Sequence, residues 1–203
     1  MSSSTQSSST STPSIVDTKE TQKPIKDINY NLINAMSHIL ESLIKENVQY
    51  AKSKKINKKY SVYNNKYIPG ISITDYLYRI VRYTEISSSS LILALIYIDR
   101  ICNDNSIILT YYNIHRLLFS SIMLAIKYNE DYKYNFNFYA EVAGMKVKEL
   151  SQLEQNFFIH IGCNLYVDRK EYQKYNNYLL NKYINYKDKY VIIKINNLRK
   201  IND

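Results

Sequence analysis

Two ionisable side chains in apolar surroundings are the residues of this 203-residue chain best placed to do chemistry. Lys127 follows Ile122-Met123-Leu124-Ala125-Ile126, and Glu154 lies between Leu153 and Phe157-Phe158. Two readings are open. In one, each side chain faces solvent, and Lys127 gains a few tenths of a kcal/mol (roughly) from the negative end of its helix dipole. In the other, they meet across adjacent helices at the border of an exposed apolar patch and act as directional contacts for a partner. Apolar and aromatic residues ringed by a few charges are what a binding surface requires.

The remaining reactive residues lack the spacing that catalysis needs. His38, His115 and His160 fall in separate segments without metal-ligand spacing, so no metal site is expected. Neither His115 nor His160 has a nucleophile partner, and a lone histidine in an amphipathic helix reads as a surface or capping residue. The three glycines are scattered and cannot build a phosphate-binding loop. Cys102 and Cys163 are far apart in apolar settings, with no CxxC and no secretory signal, so reduced, buried thiols in a nucleus and/or cytoplasm protein are expected. The chain reads as a non-enzyme: no catalytic residue, no cofactor and no small-molecule substrate.

These residues must be positioned by helices. Only three glycines and three prolines occur, too few for a many-turned β architecture, while 45 % hydrophobic residues supply a substantial core. The longest apolar run, Leu91 to Ile98, is far short of the roughly 20 residues of a membrane span, so a soluble protein is expected. The formal charge of +9 permits nucleic acid, acidic lipid or an acidic protein as partner. That charge is dispersed, with clusters at Lys52, Lys54, Lys55, Lys58 and Lys59 and again from Lys187 to Lys200, which read as solvated helix ends and loops.

Four stretches divide the chain. Residues 1–25 open with SSSTQSSSTSTPS, which has almost nothing to bury, so disorder is expected. Residues 26–70 hold an amphipathic helix, with Leu32, Met36, Ile39, Leu40, Leu43 and Ile44 at helical spacing, and a basic, Asn-rich connector ending at Pro69-Gly70. Residues 71–165 form a five-helix core. Its first helix buries Ile73, Leu77, Ile80 and Val81, with Ser72 and Asp75 as a variant capping box. The second, from Ser90 to about Cys102, is apolar nearly all round and belongs inside a bundle. The third starts at Thr110 as N-cap and runs to Tyr128. The fourth is short, about Asn137 to Ala143, ended by Gly144, and the fifth runs from about Val147 to Ile161, stopped by Gly162. Residues 166–203 carry two further helical stretches, near 170–184 and 187–201. The fold class is all-α.

Six motifs in order and register make the core resemble the P/U-type, or phosphate-regulon-like, cyclins. They are Ile71 to Ile80, Tyr97-Ile98-Asp99-Arg100, Asn113 to Leu118, Ala125-Ile126-Lys127-Tyr128, Phe138 to Gly144, and Lys148 to Glu154. The resemblance implies a single cyclin box, with a central helix surrounded by four others, that binds and activates a cyclin-dependent kinase through the third and fifth helices. It places Lys127 and Glu154 at the hydrogen bonds to the kinase C-helix region, with apolar contacts from Leu124, Tyr128, Phe158 and Leu165. Only 38 residues follow Leu165, so a second box is not expected. The family's arginine partner for the aspartate at Asp99 is absent from its usual motif. Arg79 or Arg82 is the available substitute, and the assigned structural ion pair is Asp99 with Arg79. Cys163 stands where many cyclins have phenylalanine, and Lys146 where a small cap residue is common. The competing reading is a cyclin-fold adaptor that binds nucleic acid or a transcription complex, which the charge favours but no base-reading element supports.

Overall fold

The computed structural model describes residues 30–53, 61–104 and 107–184, and every regular element among them is an α-helix. In chain order these are α1 (Tyr30–Ser53), α2 (Ile73–Thr84), α3 (Ser88–Asp104), α4 (Ile114–Asn129), α5 (Phe136–Ala143), α6 (Val147–His160) and α7 (Arg169–Ile184). The Ser/Thr-rich stretch, most of the first basic cluster, and the last helical stretch near 187–201 lie outside the described residues. No described helix is long and apolar enough to cross a membrane.

Helix boundaries follow local chemistry. At the start of α2 the Asp75 N–H donates to Ser72 Oγ at 3.0 Å, and the Ser72 hydroxyl donates to Asp75 Oδ2 at 2.6 Å. The cap is therefore closed through the hydroxyl rather than through the Ser72 backbone, a variant of the reciprocal box. Gly144 ends α5 at φ +67°, a left-handed conformation that costs a residue with a Cβ more than it costs glycine. The start of α4 differs from expectation. Thr110 opens a turn, its N–H donating to Asn113 Oδ1 at 2.8 Å while Asn113 Nδ2 donates to the Ile108 carbonyl at 2.9 Å. Asn113 is thus spent on the preceding loop, and α4 begins one turn later, at Ile114.

Within the five box helices the hub is α4, which packs on α2, α3 and α6, while α3 lies against α4, α6 and α7. α3 is buried without a break from Ser90 to Ile98, as its composition requires. α4 is buried from Ile114 to Ile126 except at Arg116, although its sequence contains His115, Ser120 and Ser121. Those polar groups make no polar face. The Ser120 and Ser121 hydroxyls each donate at 2.8 Å to a carbonyl of their own helix, those of Arg116 and Leu118. His115 Nε2–H donates to the Ile71 carbonyl at 3.0 Å. His115 is therefore a core residue and not the surface or capping residue expected, and burial holds its pKa below the usual histidine value.

In the described part of the segment before α2, Tyr63 packs inward. Tyr63 is fully buried, edge-on to Phe157, with its hydroxyl 2.8 Å from His160 Nδ1 on α6. Arg116 adds a second tie by donating to the Asn64 carbonyl at 2.7 Å while pairing with Glu149. Both fix the inner side of α6, so that its outer side is presented in one orientation.

Candidate partner-binding face

α4 and α6 bring Lys127 and Glu154 together: Lys127 Nζ is 2.5 Å from Glu154 Oε1. Lys127 lies in the last turn of α4, where exposed carbonyls favour a cation. Leu150, Leu153 and Phe157 turn α6 inward. The 3.6-residue repeat then leaves Glu154 and Phe158, four apart, stacked on one outer stripe. The Lys127 ammonium also sits 5.4 Å from the Phe136 ring centroid at the start of α5, close enough for a cation–π contact. Exposure across the pair is unequal, with side-chain values of 44 % for Lys127 and 12 % for Glu154. The anion is set into the surface, and the cation covers it while reaching solvent.

Apolar groups border this pair. Tyr128 is 50 % exposed and Phe158 39 %, whereas Leu124 is only 5 % exposed and backs the face from the core. Leu124 lies one turn before Lys127 on α4, so it stands behind the pair with little surface of its own. Leu165 is half-buried beyond the end of α6, and its carbonyl accepts the Tyr97 hydroxyl at 2.8 Å. Burial raises the Tyr97 pKa, so its hydroxyl stays protonated and able to donate to that carbonyl. Cys163 is exposed, contrary to the buried thiol expected, and sits at φ +56° in the turn after α6, where the chain leaves the helix. Cys102 is buried, and burial pushes its thiol pKa up to about 12, so it stays protonated.

The pair assigned between Asp99 and Arg79 does not form. Arg79 Nη2 donates to the Glu141 carbonyl at 2.9 Å, tying α2 to α5, and the Tyr76 hydroxyl makes a parallel tie to the Ala143 carbonyl at 3.0 Å. Asp99 accepts the Tyr175 hydroxyl of α7 at 2.6 Å instead. Burial raises the Asp99 pKa, and the Tyr175 hydrogen bond opposes that rise. The aspartate is satisfied by a phenol from the C-terminal helix rather than by an arginine from the first box helix.

One residue beside the face has no counterpart in the sequence reading. Glu130 caps α4 and reaches the start of α3, where Oε1 accepts the Ser87 N–H at 3.0 Å, the Ser87 hydroxyl at 2.6 Å and the Ser90 hydroxyl at 2.5 Å. Partial burial opposes its ionisation, but these serine hydrogen bonds and nearby Lys133 outweigh it and hold the carboxyl below the usual range. Glu130 fixes the turn of α4 that carries Lys127 and Tyr128. The run Ser87 to Ser90 was the available signal, since four small donors at a helix start invite an anion. Among the described residues no group of histidine, cysteine, aspartate or glutamate is arranged to hold a metal ion.

Comparison with known proteins is consistent across several relatives. A family model described as Cyclin matches residues 3–165. Cyclin-U4-2 of Arabidopsis thaliana is 34 % identical over 155 residues, which cover 76 % of this chain and 72 % of that protein. Cyclin-U2-1 of the same plant is 35 % identical over 147 residues, covering 71 % and 65 % respectively. The PHO85 cyclin-like protein psl1 of Schizosaccharomyces pombe is 34 % identical over 124 residues, covering 60 % of this chain and 51 % of that protein.

Proposed function

Because this chain belongs to the cyclin family, as a P/U-type member, we propose that it is a regulatory subunit that binds and activates a cyclin-dependent protein kinase. The box is taken as residues 71–165, with α1 and α7 bracing it from outside. The observation that carries the reading is the Lys127–Glu154 pair, held 2.5 Å apart across two helices and bordered by exposed Tyr128 and Phe158. A buried anchor of aromatic and apolar groups with a few directional charges is the composition of an interface centre.

The chemistry asked of the face is conformational. A kinase is active when the glutamate of its C-helix pairs with the lysine that positions ATP, which requires that helix to be held inward. A rigid surface that binds the inward state better than the outward one shifts the population toward activity by its difference in affinity alone. Lys127 and Glu154 supply a donor and an acceptor for that helix region, and Tyr128, Phe158 and Leu165 supply apolar area. The cyclin contributes no group to phosphoryl transfer. All of this takes place where the kinase is, in the nucleus and/or cytoplasm.

The test is to isolate the tagged chain from its source cells and identify what accompanies it by mass spectrometry. A cyclin-dependent kinase catalytic subunit is expected, with phosphorylation of a peptide substrate that depends on the added chain. A transcription complex or nucleic acid recovered without any kinase would replace this reading with the adaptor one.

A further inference from the structure

Two side chains of α3 occupy three consecutive carbonyls beyond α6. Arg100 Nη1 donates to the Asn164 carbonyl at 3.0 Å, the Tyr97 hydroxyl donates to the Leu165 carbonyl at 2.8 Å, and Arg100 Nη2 donates to the Tyr166 carbonyl at 2.9 Å. Arg100 Nη2 also pairs with Glu171 Oε2 of α7 at 2.6 Å. The gripped segment follows two left-handed residues, Gly162 and Cys163, and precedes α7. It therefore has no helix of its own to hold it. A planar guanidinium can span carbonyls two residues apart in a fixed geometry, which a single ammonium cannot. Leu165 belongs to the proposed kinase face, and its neighbour Tyr166 is 67 % exposed.

We propose that Arg100 is a positioning residue for kinase binding, and that it acts through the segment it grips so that Leu165 and Tyr166 extend the face formed by α4 and α6. This rests on the kinase-binding reading above and deepens it. Without the grip the segment samples many conformations, and binding must then bear the ordering cost that the free protein has already met. Arg100 itself points into the protein and contacts the partner through nothing but this segment.

The test uses the full chain and a purified PHO85-type cyclin-dependent kinase catalytic subunit as probe, with amide exchange of the free chain alongside. Arg100→Gln should weaken binding about tenfold, the size expected when a contact segment must be ordered on association. It should also speed exchange at 164–167 while α4 and α6 keep their protection. Tyr166→Ala should weaken binding too, and the Arg100→Gln, Tyr166→Ala double variant should fall clearly short of the product of the singles. Combined with Lys127→Ala, which lies on another element, Arg100→Gln should multiply. Tyr175→Phe cuts the Asp99 tie to α7 without touching the segment and should leave affinity unchanged. Should Arg100→Gln fail to fold, Tyr166→Ala decides, since wild-type affinity in that variant overturns the proposal. Wild-type affinity in folded Arg100→Gln, or full multiplication with Tyr166→Ala, overturns it as well. If Lys127→Ala weakens binding and Arg100→Gln does not, only this inference falls. If neither weakens it, the kinase-face reading falls with it.

Discussion

Arg100 and Lys127 each meet a glutamate on a neighbouring helix, and they are held in opposite ways. Arg100 is shared among two loop carbonyls and Glu171, so most of its donors end inside the protein. Lys127 has Glu154 and the face of Phe136, and nearly half of its side chain is in solvent. The first arrangement ties three segments of the chain to one another. The second fixes a charged group in place while leaving donor capacity outward. Ion pairing alone does not tell a structural charge from a recognition charge; the number of internal acceptors does. On the proposed reading, Glu154 holds the Lys127 ammonium in place in the free protein and so reduces the rotamer entropy lost on binding.

The contrast predicts a ranking of stability effects in denaturant unfolding. Arg100→Ala removes charge-assisted bonds to two carbonyls and a carboxylate, and should cost about 1.5–3 kcal/mol. If it costs no more than Lys127→Ala, the distinction between the two cations is wrong.

α4 repeats the contrast at its two ends, with His115 buried at the start and Lys127 exposed at the finish. His115 Nδ1 has no hydrogen-bond partner among the described residues, so a proton there would find no acceptor. Its folded pKa is depressed, so its contribution is present above the ordinary histidine value of about 6.5 and is lost as pH falls toward the folded value. Melting at a series of pH values should show stability declining below that point, with a slope of at most about 1.4 kcal/mol per pH unit from this group. A His115→Gln chain that folds should lose this component of the slope.

Lys146 sits at the N-cap of α6 with no side-chain cap bond, and α6 carries half of the face. Lys146→Ser should raise stability by about 1 kcal/mol, read as a higher melting temperature, with kinase affinity unaltered. A fall in stability would mean that Lys146 makes a contact outweighing the missing cap. The smallest effect belongs to the face itself. Lys127→Ala should cost only about 0–1 kcal/mol of folding stability, because a pair this open to solvent is weakly stabilising.

Much of this layout was legible in local patterns. The helices at 73–84, 136–143 and 147–160 fell close to the positions expected from apolar spacing, the Ser72 cap and the glycine stops, all signals within a turn or two of the residues they govern. Lys127 and Glu154 were legible as charges out of keeping with their apolar neighbours, and one of the two open readings had them meet across adjacent helices; the resemblance supplied only the kinase as what they would contact. What was not legible depended on partners far away in the chain. Asp99 takes its hydrogen bond from Tyr175, 76 residues on, so an aspartate–arginine pattern one helix apart was misleading. His115 is core because the Ile71 carbonyl, 44 residues back, accepts its proton. Glu130 serves a helix start 40 residues earlier, and nothing in its own neighbourhood marks it.

The most direct test of the central claim is the affinity of folded Lys127→Ala, Glu154→Ala and the double variant for the kinase catalytic subunit, with circular dichroism confirming the helices. Removing one side of a charge-assisted bond to a buried partner group costs about 2–5 kcal/mol, so each single variant should bind roughly thirtyfold more weakly or worse. The double variant should fall short of the product, since both residues brace the same partner segment. Folded variants that bind and activate the kinase as well as the wild-type chain would contradict the proposed face.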